Sequence, residues 1–373
     1  MWHRTLNLLI LFSTTVVLVG LSSSVTVLAQ EYYKGKTLTI LIGFPPGGGS
    51  DVQARIYQRH LSKHIPGNPK IVVKHMPGGG SLKAQNFMAA KAPRDGSMFM
   101  FSNFQPMGQL LGEPGVRFKY QDFTWVAAGA GAELIMYGRV DSIPGGLKKP
   151  IDIMKAEKLT FTAIRPTATL DLYGRITLDV LGVNFNYVPG YRGAAKFRAA
   201  ILRGEGNIAA IGTVGWRSAV EPNAAKKGIV KGLWYWPFSD GKGGWIKTVN
   251  VPEFPSFIEF YKKARGKEPS GPKWDALKFV LKLYGTMSDM YIGPPNMNKK
   301  AATALSKGLY GMLKDPAAKA EQKKVIGYSI RPLSLATAKK VIADMTSADP
   351  KMVQFWKDYI ASGRGAMPKR KKK

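Results

Sequence analysis

The sequence predicts an α/β protein with two domains, and three observations carry this prediction. Runs rich in β-branched and aliphatic residues alternate with segments whose apolar residues repeat at helical spacing. The pentapeptide Pro-Gly-Gly-Gly-Ser occurs twice, at 46–50 and 77–81, each time between a predicted strand and a predicted helix. Without a predicted leader of 29 residues, the chain of 373 residues keeps about 344, a usual size for two domains.

Three strands are predicted in the N-terminal part of the chain. They cover 37–43, 70–75 and 97–102, where β-branched, aliphatic and aromatic residues are frequent. Helical spacing of apolar residues begins at Asp51 after the first strand and at Leu82 after the second. This alternation is typical of a doubly wound sheet with helices on its faces.

Each glycine loop ends in a serine where a helix N-cap is expected. Ser50 has Gln53 three residues later, which is the pattern of a capping box, whereas Ser81 lacks such a partner. Glycines let backbone N–H groups approach a ligand closely, and a helix N-terminus carries partial positive charge. We therefore predict two seats for an anion, a carboxylate above all. Their residues are Gly47, Gly48, Gly49, Ser50 and Asp51 in the first loop, and Gly78, Gly79, Gly80 and Ser81 in the second.

Nucleotide binding at these loops is disfavoured. A phosphate-binding loop needs a lysine after its glycines, but Asp51 and Leu82 follow the two serines, and Val52 stands where the dinucleotide fingerprint needs glycine. The alternative interpretation is that both loops are tight turns without a ligand and that Asp51 only stabilises the helix dipole. Phe44 either stacks on an aromatic acid or packs beneath the first loop.

The N-terminus has the pattern of a secretory signal peptide. Arg4 is followed by an apolar stretch at 6–21 and by Val27-Leu-Ala29, which predicts cleavage after Ala29. An uncleaved membrane anchor is the alternative. The sequence contains no cysteine, so neither a disulfide nor a lipid-modified cysteine can form. We expect the fold to depend on its apolar core alone.

The chain is strongly basic, with a formal net charge of +31. The run 369–373 contributes five of these charges, and the others are spread along the sequence without a zinc-finger, RNA-binding or basic-zipper pattern. We therefore disfavour nucleic acid as a partner. A diffuse positive field favours acidic small molecules instead, and the tail is interpreted as a solvated end or a weak attachment to anionic surfaces.

Sequence motifs for catalysis are missing. There is no nucleophilic cysteine, no Gly-x-Ser-x-Gly elbow and no His-Glu-x-x-His segment. His60 and His64 are four residues apart on a predicted helix, but no third ligand accompanies them, so a solvated helix face is favoured over a metal site. We expect no enzyme activity, metal or cofactor, with a secreted hydrolase as the alternative.

Several segments together resemble the substrate-binding proteins of tripartite tricarboxylate transporters, the TctC or Bug family. The likeness covers most of 31–348 and is most specific at the first glycine loop with its aspartate. It implies a periplasmic-binding-protein fold, type II-like, with two hinge crossovers between two lobes, each a mixed sheet flanked by helices. The segments are 43–51, 76–80, 92–96, 186–193, 251–259, 292–295 and 314–316.

The resemblance also suggests how the chain is divided. We expect a signal peptide at 1–29, the first part of lobe one at 30–132, lobe two at 133–285, the rest of lobe one with C-terminal helices at 286–368, and a basic tail at 369–373. Strands at 123–128 and 133–140 would carry the chain across the hinge. A strand at 283–292 would return it.

The function implied by the resemblance is that of a periplasmic receptor, monomeric, which captures a di- or tricarboxylate or an aromatic acid between its lobes. It would deliver the ligand to integral-membrane transporter subunits, or serve a sensor only. Arg192 could grip a carboxylate, although the family position favours backbone N–H groups there. Thr167 or Thr169 would cap a helix at the cleft. The further expected ligand contacts are Ser102, Ala168, Gly190, Tyr191, Gly193 and Thr213.

The segment 233–245 is rich in tryptophan and other aromatic residues. Core packing is the default interpretation of such a segment, because large aromatic side chains are mostly buried. An aromatic wall that selects a larger ligand is the alternative.

Overall fold

Two large β-sheets, of six and five strands, organise the molecule. The computed structural model describes residues 32–131, 133–239 and 244–362. The predicted signal peptide and the predicted basic tail lie outside the described residues. The sheets are mixed and helices flank them, which confirms the predicted α/β fold class.

The first sheet has six strands in the order β13-β4-β12-β3-β1-β2. Strand β1 pairs in parallel with β2 and β3, whereas β12 is antiparallel to β3 and β4. Leu38, Ile40, Leu41 and Ile42 are all buried, because helices cover both faces of this part of the sheet. The strands are β1 (Thr37–Ile42), β2 (Lys70–His75), β3 (Met98–Asn103), β4 (Thr124–Ala130), β12 (Asp289–Gly293) and β13 (Arg331–Leu333).

The second sheet has five strands in the order β7-β6-β8-β5-β9. Strand β6 is parallel to β7 and β8, and β5 is antiparallel to β8 and β9. A short hairpin, β10 (Phe238–Ser239) with β11 (Trp245–Ile246), follows β9. The strands are β5 (Leu134–Arg139), β6 (Leu159–Thr162), β7 (Phe185–Val188), β8 (Ile208–Gly212) and β9 (Val230–Trp236).

Helices connect the strands and cover the sheets. Helix α6 (Thr213–Gly215) continues as a π-helical segment over Trp216–Ala225. The helices are α1 (Gly49–His60), α2 (Leu82–Ala90), α3 (Pro106–Leu110), α4 (Thr169–Val180), α5 (Ala194–Leu202), α6 (Thr213–Gly215), α7 (Phe257–Arg265), α8 (Pro272–Thr286), α9 (Lys299–Lys314), α10 (Pro316–Ile326), α11 (Leu335–Thr346) and α12 (Pro350–Ala361).

The chain crosses between the sheets twice. It leaves the first sheet after β4, enters the second at β5, and returns through α8 into β12. The predicted return strand at 283–292 is wrong in its first part, because α8 continues to Thr286 and β12 begins at Asp289. Leu277, Leu281 and Tyr284 are buried at helical spacing, so this apolar run continues the helix rather than starting the strand.

The C-terminal helix α12 packs against the core of the second sheet. Trp356 is fully buried in that core, and the Tyr359 hydroxyl donates to Asp179 Oδ2 at 2.6 Å. The buried guanidinium of Arg175 lies 4.4 Å from the ring centre of Tyr187 and 5.1 Å from that of Tyr359. Cation–π contacts of this kind stabilise a desolvated arginine.

The aromatic segment that follows β8 and its helix contributes to the same core. Trp234 and Trp236 are 0% and 1% exposed, and Trp236 Nε1 donates to Thr177 Oγ1 at 2.8 Å. Trp245 contacts Trp274 with ring centres 5.7 Å apart. Core packing therefore accounts for these tryptophans.

Candidate ligand-binding site

A cavity lies between the two sheets. Its volume is about 100 Å³. That is room for several waters or a small organic molecule. From the first sheet and its loops the lining residues are Phe44, Pro45, Gly48, Gly49, Ser50, Gln53, Asn103 and Gln105. The others are Leu134, Ile164, Ala168, Thr169, Leu170, Ala194, Ala195, Ile211, Gly212, Val214, Gly215 and Tyr284.

Four helical segments begin at this cavity. Helix α1 starts at Gly49, α4 at Thr169 and α5 at Ala194, and the segment formed by α6 and its π-helical continuation starts at Thr213, between two lining residues. N–H groups in the first turn of a helix have no acceptor within the helix and carry partial positive charge. None of the described residues that line the cavity has a formally charged side chain. The groups of the lining that can attract an anion are therefore backbone N–H groups and neutral polar side chains.

The first glycine loop is held from behind by Asp51. The Gly47 N–H donates to Asp51 Oδ2 at 2.9 Å, while His75 Nε2 and Arg55 Nε lie 2.9 and 3.1 Å from Oδ1. Burial raises the pKa of Asp51, but the hydrogen bonds from Gly47, Arg55 and His75 outweigh burial and keep that pKa below its ordinary value. Asp51 and Gly47 support the loop and are outside the cavity lining.

The predicted cap at Ser50 is wrong. Helix α1 begins at Gly49, two residues before the predicted start at Asp51, with Gly48 at the N-cap, and Ser50 Oγ lies 3.4 Å from Asn103 Oδ1. The predicted capping box fails as well, because Gln53 Nε2 donates to Tyr57 and Asp289 instead. A Cβ on Gly49 would come within 3.3 Å of Gly215 N, so glycine permits a close approach between the two sides of the cavity.

The second glycine loop does not line the cavity. A Cβ on Gly80, whose φ is +59°, would lie 2.7 Å from Arg165 Nε, so the arginine side chain covers this loop. Ser81 stands at the N-cap of α2 but makes no side-chain cap bond, and its Oγ lies 3.3 Å from Ser102 Oγ. Ser81 and Ser102 are fully buried. Gly78 and Gly79 complete the loop at positive φ.

Of the three residues at the start of α4 that were predicted to contact a ligand, two line the cavity and one does not. Ala168 and Thr169 line the cavity, whereas the Thr167 hydroxyl donates to Glu113 Oε2 at 2.5 Å. The expected cap by Thr167 or Thr169 is wrong, because Ala168 is the N-cap residue and no side chain caps this helix.

The second predicted turn, Gly190 to Gly193, lies at the edge of the cavity and contributes none of its lining. A Cβ on Gly193 would lie 3.2 Å from Pro45 Cδ and 3.5 Å from Phe44 Cδ1. The Arg192 side chain is exposed, and the Tyr191 hydroxyl donates to Glu205. Phe44 itself lines the cavity.

Thr213 is buried directly behind the cavity wall. Its N–H and its hydroxyl donate to the Glu133 carbonyl oxygen at 2.9 and 3.0 Å, while Gly212 and Val214 on either side line the cavity. The residue therefore anchors the start of α6 to the first crossing between the sheets.

The amide side chains that line the cavity were not predicted from the sequence. Gln53 lies one turn after Gly49 on the same helix, a spacing that places both on one face and could have identified it. Asn103 ends strand β3, and Gln105 follows two residues later. Both amides of Gln53 and Asn103 donate to Asp289, at 3.3 and 3.2 Å. Asp289 comes from the returning strand, and no local pattern connects it to the others.

Asp289 is a fully buried carboxyl beneath the cavity floor. Burial raises its pKa to about 7, although the hydrogen bonds from Gln53 and Asn103 act in the opposite direction. None of the ion pairs among the described residues involves Asp289. No group of three or more metal-ligating side chains occurs in 32–131, 133–239 and 244–362.

The architecture defines a class: a periplasmic-binding-protein fold with a cavity between two α/β halves. No family model matches the sequence. The solved structure of the periplasmic binding protein BugD covers 90% of this chain and 100% of its own, with 17% identity and a TM-score of 0.66. MatC from Rhodopseudomonas palustris with bound malate has a TM-score of 0.61 and 17% identity over 87% of this chain and 99% of its own. The resemblance to the Bug or TctC family is confirmed.

Curated relatives are similar to parts of the sequence. The UPF0065 protein in the TAR-I ttuE-ttuC' intergenic region of Agrobacterium vitis is 29% identical over 199 residues, 52% of this chain and 56% of the relative. The UPF0065 protein in the gbd 5'region of Cupriavidus necator is 24% identical over 271 residues, 71% of this chain and 77% of the relative. The match thus spans little more than half of the first relative.

Proposed function

We propose that this protein is a periplasmic solute-binding receptor that captures a small carboxylate. The convergence of four helical N-termini on a cavity without formally charged lining residues carries the proposal. Free first-turn N–H groups donate to an anion, and no carboxylate of the lining repels it. MatC with malate and R. palustris Rpa4515 with adipate, which has a TM-score of 0.61 to this chain, are neighbours whose ligands are carboxylates.

Binding in this proposal is a closure of the two halves around the ligand. The acid docks on the first turn of α1 at Gly48, Gly49 and Ser50, and the starts of α4 and α5 then approach it from the other side. Membrane transporter subunits recognise the closed form. The predicted signal peptide delivers the protein to the periplasm, and the protein acts as a monomer.

A receptor accounts for the cavity better than a hydrolase does. Ser50 and Thr169 supply hydroxyl groups, but the described lining contains no histidine or carboxylate that could act as their base. None of the helices in the described part of the chain is both long and apolar enough to cross a membrane.

The test is the binding of carboxylates to the purified mature protein. Thermal shift with a panel of mono-, di- and aromatic carboxylates identifies a ligand, and calorimetry then compares wild type with Gly48→Asp and Gly48→Ala. Gly48 has open space around its Cβ position, with the nearest atom, Pro45 O, at 3.7 Å, so alanine is the matched control for the added charge. We expect Gly48→Asp to weaken binding at least about tenfold and Gly48→Ala less than about threefold.

Two results would contradict the proposal. The first is the failure of every carboxylate in the panel to shift the melting temperature. The second is turnover of a bound acid into a product, which would identify an enzyme.

A further inference from the structure

We propose that Asp289 orients the amides of Gln53 and Asn103 so that their oxygens face the cavity, and that the ligand is a carboxylate bearing a hydroxyl or amino group. This inference rests on the proposed function, because it specifies the acid that the same cavity accepts. Asp289 does not contact the ligand itself and acts on it only through the two amides. Asp289 is therefore a positioning residue.

The geometry fixes which end of each amide is turned away. Gln53 Nε2 lies 3.3 Å from Asp289 Oδ2, and Asn103 Nδ2 lies 3.2 Å from Oδ1, so each carboxylate oxygen receives one NH₂ group. An ionised carboxylate only accepts hydrogen bonds, which excludes the flipped amides. Gln53 Nε2 also donates to the Tyr57 hydroxyl. Gln53 Nε2 uses both of its N–H groups in these bonds and Asn103 Nδ2 uses one, so the amide oxygens of these two lining residues are left for the cavity.

The surroundings keep this orientation fixed. Asp289 is 0% and Gln53 2% exposed, and the described residues include no ion-pair partner for Asp289 that would compete with the amides. Tyr57 is itself held, because its hydroxyl lies 2.7 Å from the hydroxyl of Tyr291. A buried carboxylate without a cation is costly, and packing alone does not require one.

Two hydrogen-bond acceptors, the amide oxygens, lie close to the N–H groups that bind the anion. The matching ligand carries both a carboxylate and a hydrogen-bond donor. Gln53 follows Gly49 by one helical turn, and helical side chains lean towards the N-terminus, so its amide is expected beside the first-turn N–H groups. A ligand that meets both needs its donor close to its carboxylate. Asn103 Oδ1 accepts from Ser50 Oγ at 3.4 Å and retains a second lone pair for the ligand. An acid without a donor would leave these oxygens unpaired when the cavity closes.

The experiment compares matched acids that differ by one donor. Calorimetry with succinate, malate and aspartate, and with propionate and lactate, is done at about pH 8, where Asp289 is ionised. We expect wild type to bind malate or aspartate, or lactate in the shorter pair, at least about tenfold more tightly than the plain acid. Malate against aspartate then shows whether the donor is a hydroxyl or an ammonium group.

Asp289→Asn should abolish this preference. The NH₂ group of the introduced asparagine side chain can donate to the oxygen of one amide, Gln53 or Asn103, which then turns its own nitrogen to the cavity. The preference is therefore expected to fall below about threefold, while the plain acid keeps its affinity. Tyr291→Phe removes a hydroxyl from the same buried group without touching either amide and should keep the preference. If Asp289→Asn does not fold, Asn103→Leu, which deletes one amide oxygen, replaces it with the same expected loss.

Equal affinity of wild type for both members of each pair would overturn the inference and leave the receptor function intact. A preference that survives in Asp289→Asn would also overturn it. Binding of none of these acids, together with a panel that shows no ligand, would instead remove the proposed function itself.

Discussion

The guanidinium of Arg165 reaches across the gap between the two sheets and donates to the carboxylate of Glu113. Arg165 follows β6 of the second sheet, and Glu113 follows α3 on the side of the first. Arg165 Nη2 also donates to Gln105 Oε1 at 3.0 Å, and Arg165 contacts Thr167. The pair joins the two halves beside the second glycine loop. Because the arginine is buried, water competes little with this ion pair.

We expect Glu113→Gln to loosen the joined state. Removing the charge of Glu113 leaves the buried guanidinium without its anion, so ligand affinity should fall about fivefold to thirtyfold through a smaller closed population. Calorimetry measures the affinity, and small-angle X-ray scattering measures the radius of gyration. The double variant Glu113→Gln with Arg165→Gln should lose less than the sum of the two single changes. Additive losses would show that the two residues act independently.

Stability should depend on pH through Asp289. Its pKa is raised to about 7 in the folded protein from an ordinary value of 3.8, so between these values the folded state holds the proton that the unfolded state has released. The free energy of unfolding therefore falls as pH rises from about 4 to about 7, by at most about 4 kcal/mol. Asp289→Asn should remove this fall and gain stability relative to wild type at high pH.

Urea unfolding of both proteins at about pH 5 and about pH 8 measures this difference. Asp171, whose pKa burial raises to about 6, contributes equally to wild type and variant, so their difference isolates Asp289. A difference in the free energy of unfolding between wild type and Asp289→Asn that is the same at both pH values would refute the prediction. The negative charge of Asp289 contributes to the raised pKa of four buried phenols, and Glu133 contributes to that of two of them, Tyr284 and Tyr328. The four are Tyr57, Tyr284, Tyr291 and Tyr328.

Gly49→Ala should weaken ligand binding without lowering the free energy of unfolding. The added Cβ would lie 3.3 Å from Gly215 N and from Val214 Cβ, which are across the cavity, so it resists closure. A loss of affinity of about threefold to tenfold is expected, whereas alanine is helix-favouring at this position. Gly48→Ala is the control on the same loop. Unchanged affinity of Gly49→Ala would mean that the halves do not approach at this point when the ligand binds.

Trp356→Ala should destabilise the protein strongly. The indole is fully buried between α12 and the core of the second sheet, and its removal leaves a large cavity. The free energy of unfolding is expected to fall by about 3–5 kcal/mol in urea titrations. Lys357→Ala, an exposed change on the next residue, should have an effect below about 0.5 kcal/mol. Similar effects of both changes would show that α12 is not part of this core.

Short-range patterns predicted much of the fold. The strands at 37–43, 70–75 and 97–102 agree with β1, β2 and β3 within one residue, because β-branched and apolar runs act through near neighbours. The same approach failed at 283–292, where a buried helix and a buried strand are equally apolar and follow each other directly. It also misplaced the cap at Ser50, since glycine at the N-cap leaves no side chain as a signal.

By itself, the sequence determined the alternation of strands and helices, the position of the first glycine loop at a helix start, and the family resemblance. Only the tertiary structure decided that Arg165 covers Gly80 and that Asp289 lies beneath Gln53 and Asn103. Local backbone preferences depend on residues a few positions apart. Contacts over 85 or 236 positions depend on strand order and on the two crossings between the sheets, which no local pattern encodes.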